Sequence, residues 1–398
     1  MRGKNHHIWP SNSAILLNRL IGWFPFPGTN TKQFPFHIVN LLLFLLLSQF
    51  FVCTTDPTNP QNDQLKFTGP IEPIREGFGA RGPFQIETKK TPSPLWKERN
   101  VQLFIPNHSP PEEGFPVVFF AHGYGQSDPS VYASIIDHMV SHGAAVVFSP
   151  YRRIIHIPGK GGNYELIYSG FREAVRVWGE RFDLSRVGFV GHSFGGGTLP
   201  WVAYNSITQE GWGRDCAFMF IMAPWYFYEI TEEQLRNFPS HVKMVMQVYK
   251  DDQVNDPAIA AELFNTIALP DSSKVFMMVH SDTGLQADKS EYIYRADHHL
   301  PKNSIDKRAS YDAYLYYAVL RQLHALFSYT MNACADGASV IFGPPTTTQQ
   351  FMGHWPDGRG VKPLEIIENP VFDKYSLQFL FPWSSILNPR RDTGLLDM

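Results

Sequence analysis

The sequence predicts an α/β protein, a mostly parallel central sheet covered by helices on both faces. Three observations lead there. Apolar runs that lack the in-out alternation of a half-exposed sheet take turns with segments of helical spacing. The chain has 398 residues, 43% of them hydrophobic and 18% charged, enough to bury a core on each side of such a sheet. A lone serine framed by glycines stands where one apolar run breaks off, and open parallel sheets bind ligands at the carboxyl ends of their strands.

The elements follow in order. "VQLFIP" (101–106) and "PVVFFAHG" (116–123) read as strands. "SVYASIIDHMVSHG" (130–143) has helical spacing and stops at a glycine. "AAVVFSP" (144–150) is the next strand and "YELIYSGFREAVRVWGERF" (164–182) the next helix. Val187 to Val190, β-branched and aromatic around one glycine, forms a buried strand that leads into the serine. "AFMFIMAP" (217–224), "HVKMVMQVY" (241–249) and "KVFMMVH" (274–280) are further strands. Between the last two, "PAIAAELFNTI" (257–267) is a helix that Asp256 caps, with Pro257 at its first position. A long helix is expected over roughly Ser310 to Cys334. Beyond it the text is turn-rich, with a tight turn at Trp355-Pro356-Asp357-Gly358. These readings divide the chain into a leader and tether (1–64), a main domain (65–335) and an extension packed on that domain (336–398).

Charge and cysteine usage narrow the function. A net charge of −3 without a long basic block argues against a nucleic-acid partner. Cys53, Cys216 and Cys334 form no C-x-x-C pair, so no zinc site is expected. An oxidising compartment would allow Cys216 and Cys334 to pair, although their contexts do not force it. The first 55 residues hold no Asp or Glu, while Arg2, Lys4, Arg19 and Lys32 precede the apolar run Ile38 to Val52. That order predicts export. Cys53 ends the run before the polar "TTDPTNPQNDQ", a layout that resembles a bacterial lipoprotein and makes Cys53 a lipidation candidate. Simple cleavage and an uncleaved anchor are the alternatives.

The motif that carries chemistry is "RVGFVGHSFGGGTLP" (186–200). Gly191-His192-Ser193-Phe194-Gly195 has the G-x-S-x-G spacing of a nucleophile elbow, in which glycines flank the serine because a Cβ there would strike a neighbouring strand or helix. A serine hydroxyl needs a base to take its proton, and the base needs a carboxylate to orient it. In the order Ser, acid, His, the acid candidates are Asp251 and Asp252 in "VYKDDQVNDP". Asp252 is preferred, because Val254 then anchors the loop while Asp251 faces water as a turn residue. Among the base candidates, His298 in "ADHHLPKN" is preferred over His299, over His280 at a strand end and over the helical His324. The oxyanion donors are the backbone N–H groups of Phe194, after the nucleophile, and Tyr124, after the turn at Gly123. His122 is a competing catalytic histidine, but it precedes the serine in chain order and is expected to brace that loop. Trp225, Tyr124 and His192 are the candidate substrate contacts.

The segment "FPVVFFAHGYGQSDPSVYASIIDHMVSHGAAVVFSPY" together with "GFVGHSFGGG" resembles the α/β-hydrolase superfamily, in particular the dienelactone-hydrolase-like branch with its cutinase-like polyester hydrolases and chlorophyllases. The polyester hydrolases start with a "GPF" strand segment, matched by Gly82-Pro83-Phe84, and place a tryptophan after the strand that follows the elbow, matched by Trp225. Their base lies in an H-x-x-P context, matched by His298 to Pro301. The resemblance spans roughly residues 78–335 and implies the hydrolase fold and a Ser193-His298-Asp252 triad. The segment 281–297 and the tail after Ala335 depart from the compact polyester hydrolases.

The expectation is a monomeric, exported serine esterase without cofactor or metal, acting on a small or polymeric ester and attached to a membrane, if at all, through its N-terminal segment. A lipase or phospholipase-type acyl hydrolase, of the sort that cleaves platelet-activating factor, is the second enzyme reading. A catalytically silent hydrolase-fold binding protein is the third.

Overall fold

The computed structural model describes residues 71–153, 162–285, 290–302 and 313–391. The leader, Cys53 and the expected tether lie outside these residues. No helix among the described residues is long and apolar enough to cross a membrane.

Nine strands make one sheet in the order β1-β2-β4-β3-β5-β6-β7-β8-β11. They are β1 (Ile86–Pro92), β2 (Asn100–Pro106), β3 (Phe115–Ala121), β4 (Ala145–Phe148), β5 (Phe182–His192), β6 (Cys216–Met222), β7 (Lys243–Tyr249), β8 (Lys274–Val279) and β11 (Glu365–Ile366). β4, β3, β5, β6, β7 and β8 run parallel, while β1, β2 and β11 join antiparallel at the edges. Every residue of β3 is buried, as the continuous apolar run required.

Side-chain alternation splits the interior into two cores. Val117, Phe119 and Ala121 of β3 and Ala217, Met219 and Ile221 of β6 face one core, with the helices α2 (Gly162–Trp178), α3 (Phe194–Thr208) and α5 (Pro257–Thr266) against them. Val118, Phe120, Phe218, Phe220 and Met222 face the other, under α1 (Ala133–Ser141) and α6 (Arg321–Met331). Helices therefore cover both faces of a mostly parallel sheet, as expected. The short α4 (Glu232–Arg236) lies between β6 and β7. In the final segment α7 (Ala335–Ile341) and α8 (Thr347–Gln350) precede β11.

Several boundaries differ from the sequence expectation. The helix expected to reach residue 182 ends at Trp178, a single 3-10 turn follows, and β5 starts at Phe182. The long helix before Cys334 is a π-helical stretch, Tyr314–Leu320, that continues into α6. Gly82 to Phe84 is not a strand: the N–H groups of Gly82 and Phe84 donate to the hydroxyl and carbonyl of Ser141, docking this segment on the end of α1. Part of the 281–297 segment forms a hairpin of β9 (Asp282–Leu285) and β10 (Glu291–Tyr294). The extension is integral to the main domain, since β11 pairs with Met277 and Met278 of β8. The expected tight turn closes through Gly358 N–H to the Trp355 carbonyl at 2.9 Å, with Gly358 at φ 84°.

Candidate active site

The serine sits where β5 hands over to α3. Ser193 has φ 57° and ψ −122°, a conformation that L residues rarely adopt and that thrusts the side chain off the strand axis. The glycines make room for this turn. A Cβ on Gly191 would lie 2.8 Å from the Gly195 carbonyl oxygen, and one on Gly195 would lie 2.0 Å from that of Ala121. Three backbone bonds hold the turn: Ser193 N–H to the Met222 carbonyl, and Gly197 and Trp225 N–H to the Ser193 carbonyl.

Two loops at the same end of the sheet complete the group. After β7, Asp252 turns back on its own loop, its Oδ1 accepting from the N–H groups of Val254 (2.7 Å) and Asn255 (3.1 Å). Its Oδ2 lies 2.8 Å from His298 Nδ1, and His298 Nε2 lies 2.9 Å from Ser193 Oγ. The carboxylate and its loop bonds leave His298 Nδ1 as donor, so Nε2 carries the lone pair that faces the hydroxyl. Ser193, Asp252 and His298 are 8%, 5% and 6% exposed, so the chain is shielded from competing water. The three residues singled out in the sequence are brought together.

The rival residues go elsewhere. Asp251 is exposed and accepts from the Ser281 hydroxyl at 2.7 Å. His280 pairs with Glu365 at 2.6 Å. His299 meets Lys302 Nζ at 2.9 Å in the turn after His298. His324 packs in a buried imidazole group with His138 and His142, whose potential ligand atoms lie within 4.8 Å of one another. There the His142 and His324 rings lie tilted with centroids 3.6 Å apart, and His138 stands edge-on to both.

The loop after β3 and the start of α3 hold the two residues expected to supply oxyanion donors. Tyr124 follows Gly123 at the end of β3, and Phe194 is the first residue of α3, where backbone N–H groups have no intrahelical acceptor. His122 braces this loop: its Nδ1–H donates to the Gly123 carbonyl at 2.7 Å and its ring stacks on Tyr151 at 4.1 Å. Burial pushes its imidazole down to about 3, so it stays neutral. Tyr124 is 43% exposed and borders the site through its contact with the Phe194 ring at 6.3 Å.

One substrate-contact expectation, His192, changes. His192 is fully buried and its two nitrogens are engaged by Tyr132 and by the His298 carbonyl, so it does not face a ligand. Strand alternation puts it on the same face of β5 as Val190, under α1 and α6. Trp225 is half-buried among Phe194, Tyr226, Tyr228 and Phe381, and its enclosed Nε1 has no hydrogen-bond partner.

The extension contributes what the sequence did not disclose. Leu380 and Phe381 N–H donate to the carbonyls of Gln253 and Val254, and Asp256 N–H donates to that of Phe381. Asp256 caps α5 as expected, accepting from Ala258 N–H at 2.9 Å, and its other oxygen accepts from Trp383 N–H at 2.8 Å. Phe381 stands edge-on to Trp225 at 5.5 Å. Only the three-dimensional meeting of residues more than a hundred apart reveals this strap. Cys216 is a free thiol, 3.8 Å from the Met331 sulfur, and so is not paired with Cys334; burial pushes it up to about 11, which makes it a poor nucleophile. No family model matches the chain, and no curated protein matches it significantly.

Proposed function

We propose that the protein is a serine esterase of the α/β-hydrolase type, cleaving carboxylic esters through an acyl-enzyme. The observation that carries this reading is the unbroken chain Ser193 Oγ, His298, Asp252 at 2.9 and 2.8 Å, with the serine on a strained turn. His298 Nε2 takes the hydroxyl proton as Ser193 attacks the ester carbonyl, and Asp252 stabilises the imidazolium that results. The N–H groups of Tyr124 and Phe194 hold the negative oxygen of the tetrahedral intermediate. His298 then gives its proton to the departing alkoxide, and a water activated by the same imidazole releases the acid. The sheet order, the turn at Ser193 and the helices on both faces support the hydrolase-fold assignment.

A lipase or phospholipase-type acyl hydrolase is the second reading. It is favoured by apolar side chains held out in water on the segment whose backbone braces the acid loop: Leu377, Leu380 and Ile386 are 80%, 69% and 78% exposed. An ester panel of rising acyl length separates the two readings. Export of the chain belongs to the same proposal and rests on the basic-then-apolar leader.

The deciding experiment is Ser193→Ala. It lowers kcat by about 10⁶ if the three groups act as a unit, and it abolishes labelling by a fluorophosphonate probe. Less than a tenfold loss in a folded variant sinks the reading, and a native protein that the probe does not label leaves only a binding role.

A further inference from the structure

We propose that Tyr132 and His192 are positioning residues that lock the oxyanion loop and the base to each other, an inference that rests on the esterase reading above. A single line of hydrogen bonds joins them. Gly123 N–H donates to Tyr132 Oη at 2.9 Å, Tyr132 Oη lies 2.9 Å from His192 Nδ1, and His192 Nε2 lies 3.0 Å from the backbone carbonyl of His298.

Chemistry fixes the direction of each bond. A carbonyl can only accept, so His192 Nε2 carries the ring proton. The neutral ring then offers a lone pair at Nδ1, and the Tyr132 hydroxyl must donate to it. The amide of Gly123 can only donate, and it finds a lone pair on the same hydroxyl. Burial, together with His298, Lys302 and His299 nearby, holds His192 well below the ordinary imidazole range, so the ring stays neutral and this arrangement persists.

Tyr132 and His192 are both fully buried, and Tyr132 closes the short 3-10 turn Pro129–Tyr132 that leads into α1. The line passes close to Ser193, whose Cβ would lie 3.5 Å from a Cβ on Gly123. At one end stands the turn that presents the Tyr124 N–H, and at the other the backbone of the base. Asp252 holds the His298 ring through Nδ1; His192 holds the His298 main chain through its carbonyl. Gly123 is part of the device, because a Cβ there would lie 2.9 Å from Tyr132 Oη and 3.1 Å from His192 Nδ1. Neither side chain hydrogen-bonds the Ser193 hydroxyl, and the His192 ring also packs on the His298 ring at 4.8 Å, so both act through Tyr124 and His298.

The test compares the unaltered full chain with Tyr132→Phe, His192→Gln and the double variant on p-nitrophenyl acetate. Labelling of the unaltered chain at Ser193 by a fluorophosphonate establishes the esterase reading first, and its absence overturns both proposals. Tyr132→Phe removes one hydroxyl and keeps the ring, and it lowers kcat roughly ten- to hundredfold with KM changed less than about threefold. His192→Gln keeps an N–H for the His298 carbonyl but loses the Tyr132 bond, and it gives a loss of similar size. The double variant is no worse than the worse single one, because both break the same line. A boronic acid transition-state analogue weakens by the same factor as kcat/KM. The proposal is overturned if the folded variants keep kcat within twofold, if their losses multiply in the double variant, or if KM alone changes. Should Tyr132→Phe fail to fold, His192→Gln with the boronic acid measurement decides between the same outcomes.

Discussion

Replacing Asp252 by Asn asks one atom of the site to reverse its role. The carboxylate accepts three hydrogen bonds: two from the loop amides of Val254 and Asn255 at Oδ1 and one from His298 Nδ1 at Oδ2. An asparagine can place its single oxygen on one side only. With the oxygen on the loop, both amide bonds survive and the NH2 group faces His298 Nδ1, which must become an acceptor. The ring proton then moves to Nε2, and the base has no lone pair for Ser193. With the amide flipped, His298 keeps the right tautomer, but two buried loop N–H groups face an NH2 group. Each orphaned donor costs about 1–3 kcal/mol, so the flipped form lies roughly 2–6 kcal/mol higher and is rarely populated. Asp252→Asn therefore lowers kcat on the order of 10⁴-fold while the loop bonds keep the melting temperature within a few degrees. Stopped-flow or steady-state hydrolysis of p-nitrophenyl acetate reads the first quantity and thermal unfolding by circular dichroism the second. A folded variant that loses less than tenfold in kcat refutes the tautomer argument and, with it, the assignment of Asp252 as the orienting acid.

The buried imidazole group makes stability depend on pH. Burial pushes His142 down to about 4 and holds His138 and His324 well below the ordinary range, whereas the unfolded chain takes up their protons below about 6.5. The unfolded state thus binds more protons between about pH 4 and 6.5, so the stabilisation is complete above that window and is lost as pH falls through it; His142 alone accounts for about 3 kcal/mol by pH 4. Melting temperature should fall between pH 7 and 4.5 and fall less steeply in His142→Gln, which keeps a donor for the Ala80 carbonyl; a flat profile contradicts this. Trp225→Ala should cut kcat/KM for aromatic or long-chain esters by about 1–2 kcal/mol more than for a short acetate. Equal losses with a lowered melting temperature would make this ring, packed between Phe194 and Phe381, purely structural.

The legible parts of the molecule are those where local sequence and tertiary demand coincide. Ser193, Asp252 and His298 can be read because the first two follow strands whose apolar runs are unmistakable, and the third closes the remaining gap in chain order. Asp252 is separable from Asp251 by loop register alone. β1, "IETKKTP", escapes a reading by pattern because an edge strand with charges and a proline lacks the apolar run that marks its neighbours. β11 is two residues long and owes its conformation to β8, not to its own composition. His192 misleads for a different reason. A residue beside a nucleophile can face the ligand or the interior, and only the pleat of β5 decides which. Phe381 and Trp383 carry no pattern that ties them to Asp256; their role is created by the fold.

The strap of residues 380–383 also sets an order in time. A ribosome delivers the turn at Ser193, then the loop at 252–256, then His298, and only at 380–383 the backbone that bonds Gln253, Val254 and Asp256. A nascent chain therefore owns its nucleophile long before the acid loop is braced. Until residues 380 and 381 are made, the loop after β7 lacks its bonds to their backbone and Trp225 lacks the edge of the Phe381 ring.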